Sequence, residues 1–198
     1  MKRRFSFRTV VWAAFAAVAL LSLTAGAGAV QGDKKFRLLD DCDPVTFAGV
    51  PGGCIGNGHT TFDEFIEELI ETQDAHKWRN QPSQAHLNVG RPTEIENRGG
   101  EVHTFTKVAE FGGGFVPELN AILGLDPVPE CAPPLVDFIP AGAVIEGPIA
   151  GSSELPVGIS RFQCCIHPWM RTTIEVAVPG GGAQASPSQG KSQQHAHH

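Results

Sequence analysis

From residue 83 to residue 178 the chain is cut by glycine and proline into short segments, and this punctuation limits the fold more than any other feature. Ala85 to Val89, Thr93 to Asn97, Glu101 to Val108, Ala143 to Ile149, Gly158 to Ile166 and Thr172 to Val178 have strand length rather than helix length. Gly-Arg-Pro at 90–92 and Arg-Gly-Gly at 98–100 separate the first three. The last alternates, with Ile174, Val176 and Val178 on one face and Thr173 and Glu175 on the other. Strands at this spacing, with turn residues between them, predict an all-β sandwich. The 23 glycines and 15 prolines fit that class better than a helix bundle. Residues 111–140 break the rhythm with Gly112-Gly113-Gly114 and several prolines, and read as a long excursion with a short helix at Pro117 to Leu123.

The N-terminus has the pattern of an export signal. Lys2, Arg3, Arg4 and Arg8 form a basic head, Val10 to Leu23 is uncharged and apolar, and Ala27-Gly28-Ala29 offers the small residues of a cleavage site. Residues 1–29 are therefore expected to be a signal peptide, and the protein to be periplasmic or secreted. The alternative is retention of the same segment as a membrane anchor, since the uncharged run to Val30 is just long enough to span. Losing those four basic residues from 15, against 21 acidic ones, leaves a net charge of about −10. Such a surface repels nucleic acid and anionic membranes and favours a basic protein partner.

Export also places the five cysteines in an oxidising compartment. Five is odd, so at least one thiol is left unpaired or bound to something else. Cys42 and Cys54 are close in sequence and are expected to pair.

Residues 30–80 read as an N-terminal extension ahead of a domain at 81–179. Thr61-Phe62-Asp63-Glu64 has the form of a capping box, and Phe62, Phe65, Ile66, Leu69 and Ile70 follow at helical spacing, so a helix is expected over about 61–73. Its acidic face, Asp63, Glu64, Glu67, Glu68 and Glu71, reads as a solvated face. Residues 180–198 are rich in Gly, Ser and Gln, end in His195-Ala196-His197-His198, and are expected to be a disordered tail.

The chemistry concentrates in Cys164-Cys165-Ile166-His167-Pro168-Trp169-Met170. A thiolate, an imidazole and a thioether follow one another at three-residue intervals, a spacing that a loop between two strands can wrap around one ion. Soft sulfur donors select copper(I), and imidazole also suits copper(II). Two imidazoles and a thiolate in a plane, with a weak axial thioether, make a blue copper site. The loop supplies one histidine, so the second must come from elsewhere, and His103 is the best donor: its strand can lie beside the strand ending at Cys164. Cys164, rather than Cys165, has the matching distance to His167, and the aromatic Phe162 lies two residues before it. Cys131 is then available to pair with Cys165. His59, His76 and His86 have no such companions and read as ordinary polar residues.

His103 followed by a distant Cys-x-x-His-Pro-x-Met resembles the cupredoxin (type 1 blue copper) family, plastocyanin and amicyanin in particular. The likeness covers about residues 83–178. It implies a Greek-key sandwich with one mononuclear copper, His103 and His167 as imidazole ligands, Cys164 as the thiolate and Met170 as the axial ligand. It further implies one-electron transfer between redox protein partners rather than enzymatic turnover, since no second histidine cluster accompanies the site. The alternative is copper handling, as a chaperone or storage protein using the same site. The excursion between His103 and Cys164, the helical N-terminal segment and Cys165 beside the ligand cysteine depart from the small members of that family. As His167 lies in a loop, its ring edge is expected to reach the surface, with Pro168 and Trp169 as an apolar rim. The backbone N–H groups of Ile166 and Thr104 are candidate hydrogen-bond donors to the Cys164 sulfur.

Overall fold

Phe36 and Leu38 point the same way out of the segment Lys34–Leu39 and are completely buried, while their neighbours face outward. A computed structural model describes residues 34–134, 136–146 and 155–179, and this first segment is strand β1. The expected signal peptide, the expected tail and the end of the Ala143–Ile149 segment lie outside the described residues.

Strands β2 (Arg79–Gln81), β3 (Gln84–Asn88) and β4 (Thr93–Asn97) follow, then β5 (His103–Thr104) and β6 (Thr106–Val108). Beyond them come β7 (Phe138–Ile139), β8 (Val144–Glu146), β9 (Gly158–Gln163) and β10 (Arg171–Ala177). One four-stranded sheet has the order β2-β1-β4-β8 and the other β3-β10-β9-β6, with β5 and β7 as a separate pair. Most neighbours are antiparallel, but β1 runs parallel to β4 and β10 parallel to β3. Phe36, Leu38 and Ile95 from the first sheet and Leu87, Phe162, Ile174 and Val176 from the second belong to one buried cluster, so the two sheets share a single core. Phe105 lies between them, stacked on Phe162 at 4.8 Å and tilted against Phe36 at 5.5 Å.

The expected segments return with small shifts of boundary. Glu101 to Val108 is two short strands rather than one, because Phe105 separates the part that pairs with β7 from the part that pairs with β9. On β10 the buried face is Thr172, Ile174 and Val176, and Val178 lies past the strand end and is exposed. β1, β2 and β7 were not anticipated. β1 is hydrogen-bonded on both edges, to β2 and to β4, so the segment ahead of residue 80 supplies part of the sheet itself.

Helix α1 (Phe62–Thr72) begins as the sequence indicated. Glu64 N–H donates to the Thr61 hydroxyl, and the Glu64 carboxylate accepts from the Thr61 N–H at 2.8 Å. This reciprocal pairing satisfies two of the donors that a helix start leaves free. Phe65 and Leu69 are its buried positions. Phe65 joins Phe47 and the fully buried Trp78 in an aromatic cluster, with ring centroids 4.6 Å apart for Phe65 and Trp78. Helix α2 (Pro117–Leu123) occupies the expected place in the excursion; Pro at its first position has no N–H to leave unsatisfied. Among the described residues no helix is long and apolar enough to cross a membrane.

Candidate metal centre

Strand β9 ends at Gln163 and β10 begins at Arg171, so residues 164–170 form the connecting loop. Two backbone bonds close it: Cys164 N–H donates to the Met170 carbonyl at 3.0 Å and Met170 N–H to the His167 carbonyl at 2.9 Å. The three-residue spacing of the sulfur and imidazole donors is thereby folded onto one side of a tight turn. Strand β5 approaches from the other side. Thr104 N–H donates to Cys164 Sγ at 3.4 Å, and Cys165 N–H donates to the Thr104 hydroxyl at 2.7 Å.

The result brings three donors together. Cys164 Sγ lies 3.7 Å from His103 Nδ1 and 3.9 Å from His167 Nδ1, and the three ligand atoms lie within 4.8 Å of one another. All three residues are buried. A metal–sulfur bond of about 2.3 Å and a metal–nitrogen bond of about 2.0 Å, the lengths usual for zinc, opened at 120°, put donors about 3.7 Å apart. The spacing and the S, N, N donor set therefore fit a first-row metal ion in a trigonal arrangement. Met170 is fully buried in the same core, at the close of the loop.

Cysteine pairing follows the same division. Cys42 is bonded to Cys54 and Cys131 to Cys165, and Cys164 is the free cysteine. Cys164 belongs to the main core, whereas Cys165 and Cys131 sit with Val136 in a second, smaller cluster. Gly114 makes this possible: a Cβ there would collide with the Cys165 carbonyl, which instead accepts a hydrogen bond from Phe115 N–H.

Behind the imidazoles are two carboxylates that the sequence reading missed. Asp40, just after β1, accepts from His103 Nε2 at 2.7 Å, with both side chains essentially without exposure. Glu101 accepts from Trp78 Nε1 at 2.5 Å and lies 3.6 Å from His167 Nε2. Glu101 precedes His103 by two residues, the interval that places side chains on one face of an extended chain, so it was within reach of pattern reasoning. Asp40 gave no local signal. Gly99 admits it, since a Cβ there would overlap its carboxylate.

Burial opposes ionisation of Asp40, but the His103 hydrogen bond and charge, with the N–H groups of Gly100 and Glu101, hold its pKa down to about 2. Burial likewise opposes charge on His103, and the bonds to Asp40 and Cys164 outweigh it, raising the imidazole to about 9. Burial would push the Cys164 thiol up; the hydrogen bonds from His103 and His167 overcome this and hold it well below the ordinary value. The same groups favour the thiolate, the form a metal requires.

Three expectations are corrected. His167 is 3% exposed, because Phe65 of α1 meets its ring edge-on at 6.2 Å and Trp169 at 5.3 Å, so its edge does not reach the surface. Pro168 is buried and only Trp169 is partly open, so the two do not make a rim. Of the two proposed donors to sulfur, Thr104 N–H is in place; among the described residues no bond runs from Ile166 N–H to Cys164. His76 pairs with Glu68 and His86 with Glu175, both near the surface, and His59 is exposed, all apart from the metal centre.

No protein-family model matches the chain, and no curated protein matches it. Among solved structures it is similar to a purple cupredoxin from Nitrosopumilus maritimus at 12% identity, over 73% of this chain and 100% of that one, with a TM-score of 0.38. Oxidised plastocyanin from Dryopteris crassirhizoma is similar at 15% identity, over 72% of this chain and 99% of that one, with a TM-score of 0.35. A mutant amicyanin in its reduced Cu(I) form is similar at 18% identity, over 52% of this chain and 76% of that one, with a TM-score of 0.28.

Proposed function

We propose that the chain is an exported blue copper protein of cupredoxin type, with a Greek-key sandwich, that carries single electrons between redox protein partners. His103, Cys164, His167 and Met170 would hold one copper ion. The observation that carries this reading is the buried convergence of His103 Nδ1, His167 Nδ1 and the free Cys164 thiol within 4.8 Å. Bound copper would supply a one-electron couple. The protein's part is to hold the donors still, so that little has to move when the charge changes. Thr104 fixes the thiolate from one side, the two backbone bonds of the loop fix it from the other, and Phe65 and Trp169 keep water from His167. The alternative role, copper handling, calls for ligands that exchange readily, and the burial of all three donors favours the carrier.

The test is the visible spectrum of the protein loaded with Cu(II). An intense thiolate-to-copper band is expected; Cys164→Ser should abolish it and Cys165→Ser should leave it. A colourless copper-loaded protein, or the reverse pattern in the two variants, overturns the assignment.

A further inference from the structure

The structure assigns Asp40 a function of its own: we infer that it is a positioning residue for His103, fixing which nitrogen faces the metal and biasing the site toward the more highly charged metal ion. The inference rests on the copper reading of the His103–Cys164–His167 site. It starts from the completeness of the carboxylate's partners. Oδ1 accepts from Cys42 N–H at 3.3 Å and Gly100 N–H at 2.8 Å. Oδ2 accepts from Glu101 N–H at 3.1 Å and His103 Nε2 at 2.7 Å. A carboxylate has about four acceptor positions, and all are used.

A group held by three backbone donors cannot follow the imidazole, so the imidazole must follow it. With Nε2–H committed to Asp40, Nδ1 is the nitrogen that faces Cys164, 3.7 Å away, and the one whose lone pair is offered to a metal once its proton is displaced. The anchor is itself anchored. Leu38, two residues earlier, pairs with Asn97 in the β1–β4 register, and its carbonyl accepts from the N–H groups of Arg98 and Gly99. Asn97 Nδ2 reaches the carbonyls of Glu101 and Ile139, and the Cys42–Cys54 bridge closes the far side. Glycine at 100 is required there, since a Cβ would stand 2.7 Å from Cys42 Sγ.

The electrostatic consequence follows from burial. A full negative charge one imidazole away from the metal, with its side chain 1% exposed, is poorly screened by water. It stabilises Cu(II) more than Cu(I), because the interaction grows with the charge of the ion. It also strengthens the donor power of the imidazole through Nε2–H.

Two measurements test this. In the wild-type protein loaded with Zn(II), nitrogen-resolved NMR should show a slowly exchanging proton on His103 Nε2 and none on Nδ1. In the copper-loaded protein, Asp40→Asn should lower the Cu(II) affinity relative to the Cu(I) affinity at least tenfold, a rise in potential of at least about 59 mV for one electron. Asp40→Glu should recover part of the change. The absence of that Nε2 proton in the zinc protein overturns the positioning role, even if every Asp40 variant fails to fold. A potential that is unchanged or lower in Asp40→Asn, with the visible band retained, overturns the charge role. If the wild-type protein binds copper without colour, the copper reading fails on its own, and the zinc measurement still decides what Asp40 does.

Discussion

The ligand loop 164–170 and the cover formed by residues 40–78 treat the same site in opposite ways. The loop supplies three of the four proposed ligands within seven residues and is held by two backbone bonds of its own. The cover supplies none, yet Asp40, Phe65 and Trp78 decide what the far sides of both imidazoles meet. The loop's proposed ligands lie in one short motif; their surroundings depend on a chain segment more than 80 residues away. The difference teaches that ligand identity and ligand environment are separately encoded here.

The sharpest way to break this comparison is Phe65→Ala. Phe65 is 2% exposed and touches Phe47, Trp78, His167 and Trp169. Truncation of a buried Phe should cost about 3–5 kcal/mol in urea unfolding. If the cover governs access alone, the copper-loaded variant keeps its band while a small soluble reductant bleaches it faster than wild type. A shifted band would mean that the cover also shapes the ligand set.

Trp78→Phe asks whether the environment of His167 depends on the Glu101 hydrogen bond. The substitution keeps the aromatic packing and removes the Trp78 Nε1 donor from that buried carboxylate, which should cost about 1–3 kcal/mol. The potential should move while that of a surface control does not. The smallest effect is expected for Thr61→Ala, which unties the capping box of α1. About 1 kcal/mol of stability should be lost, with no change in spectrum, since Phe65 stays in place. A spectral change would make α1 a more delicate part of the site than its contacts suggest.

How much was legible follows the same line. The convergence of His103, Cys164 and His167 could be read from residue type and interval, because a loop fixes the spacing of its own donors. Met170, expected as the axial ligand, is buried where the loop closes. The capping box and the Pro117 to Leu123 helix were legible because helix ends have local chemistry. β1 was missed: Lys-Lys-Phe-Arg-Leu-Leu is a weak alternation, and what makes it a strand is its pairing with β2 and β4, a long-range fact. β7 is two residues long and exists only because β5 lies beside it. Asp40 was invisible for the same reason. The closure of His167 followed from α1: its helical period and capping box located the helix, but nothing in them said which surface it would lie against.

The adjacency of Cys164 and Cys165 carries a consequence for how an active molecule is made. Cys131 has two possible partners one residue apart, and successive residues of an extended chain face opposite ways. Bonding to Cys165 turns Cys164 inward toward His103; bonding to Cys164 would direct the remaining thiol into the wrong cluster. The two isomers have the same mass, the same number of bridges and the same single free thiol. Purity by mass spectrometry or by thiol titration would not distinguish them, and a preparation could pass both checks while holding a population whose free thiol never meets His103 and His167. Peptide mapping of the bridge to Cys131 is the assay that separates the two.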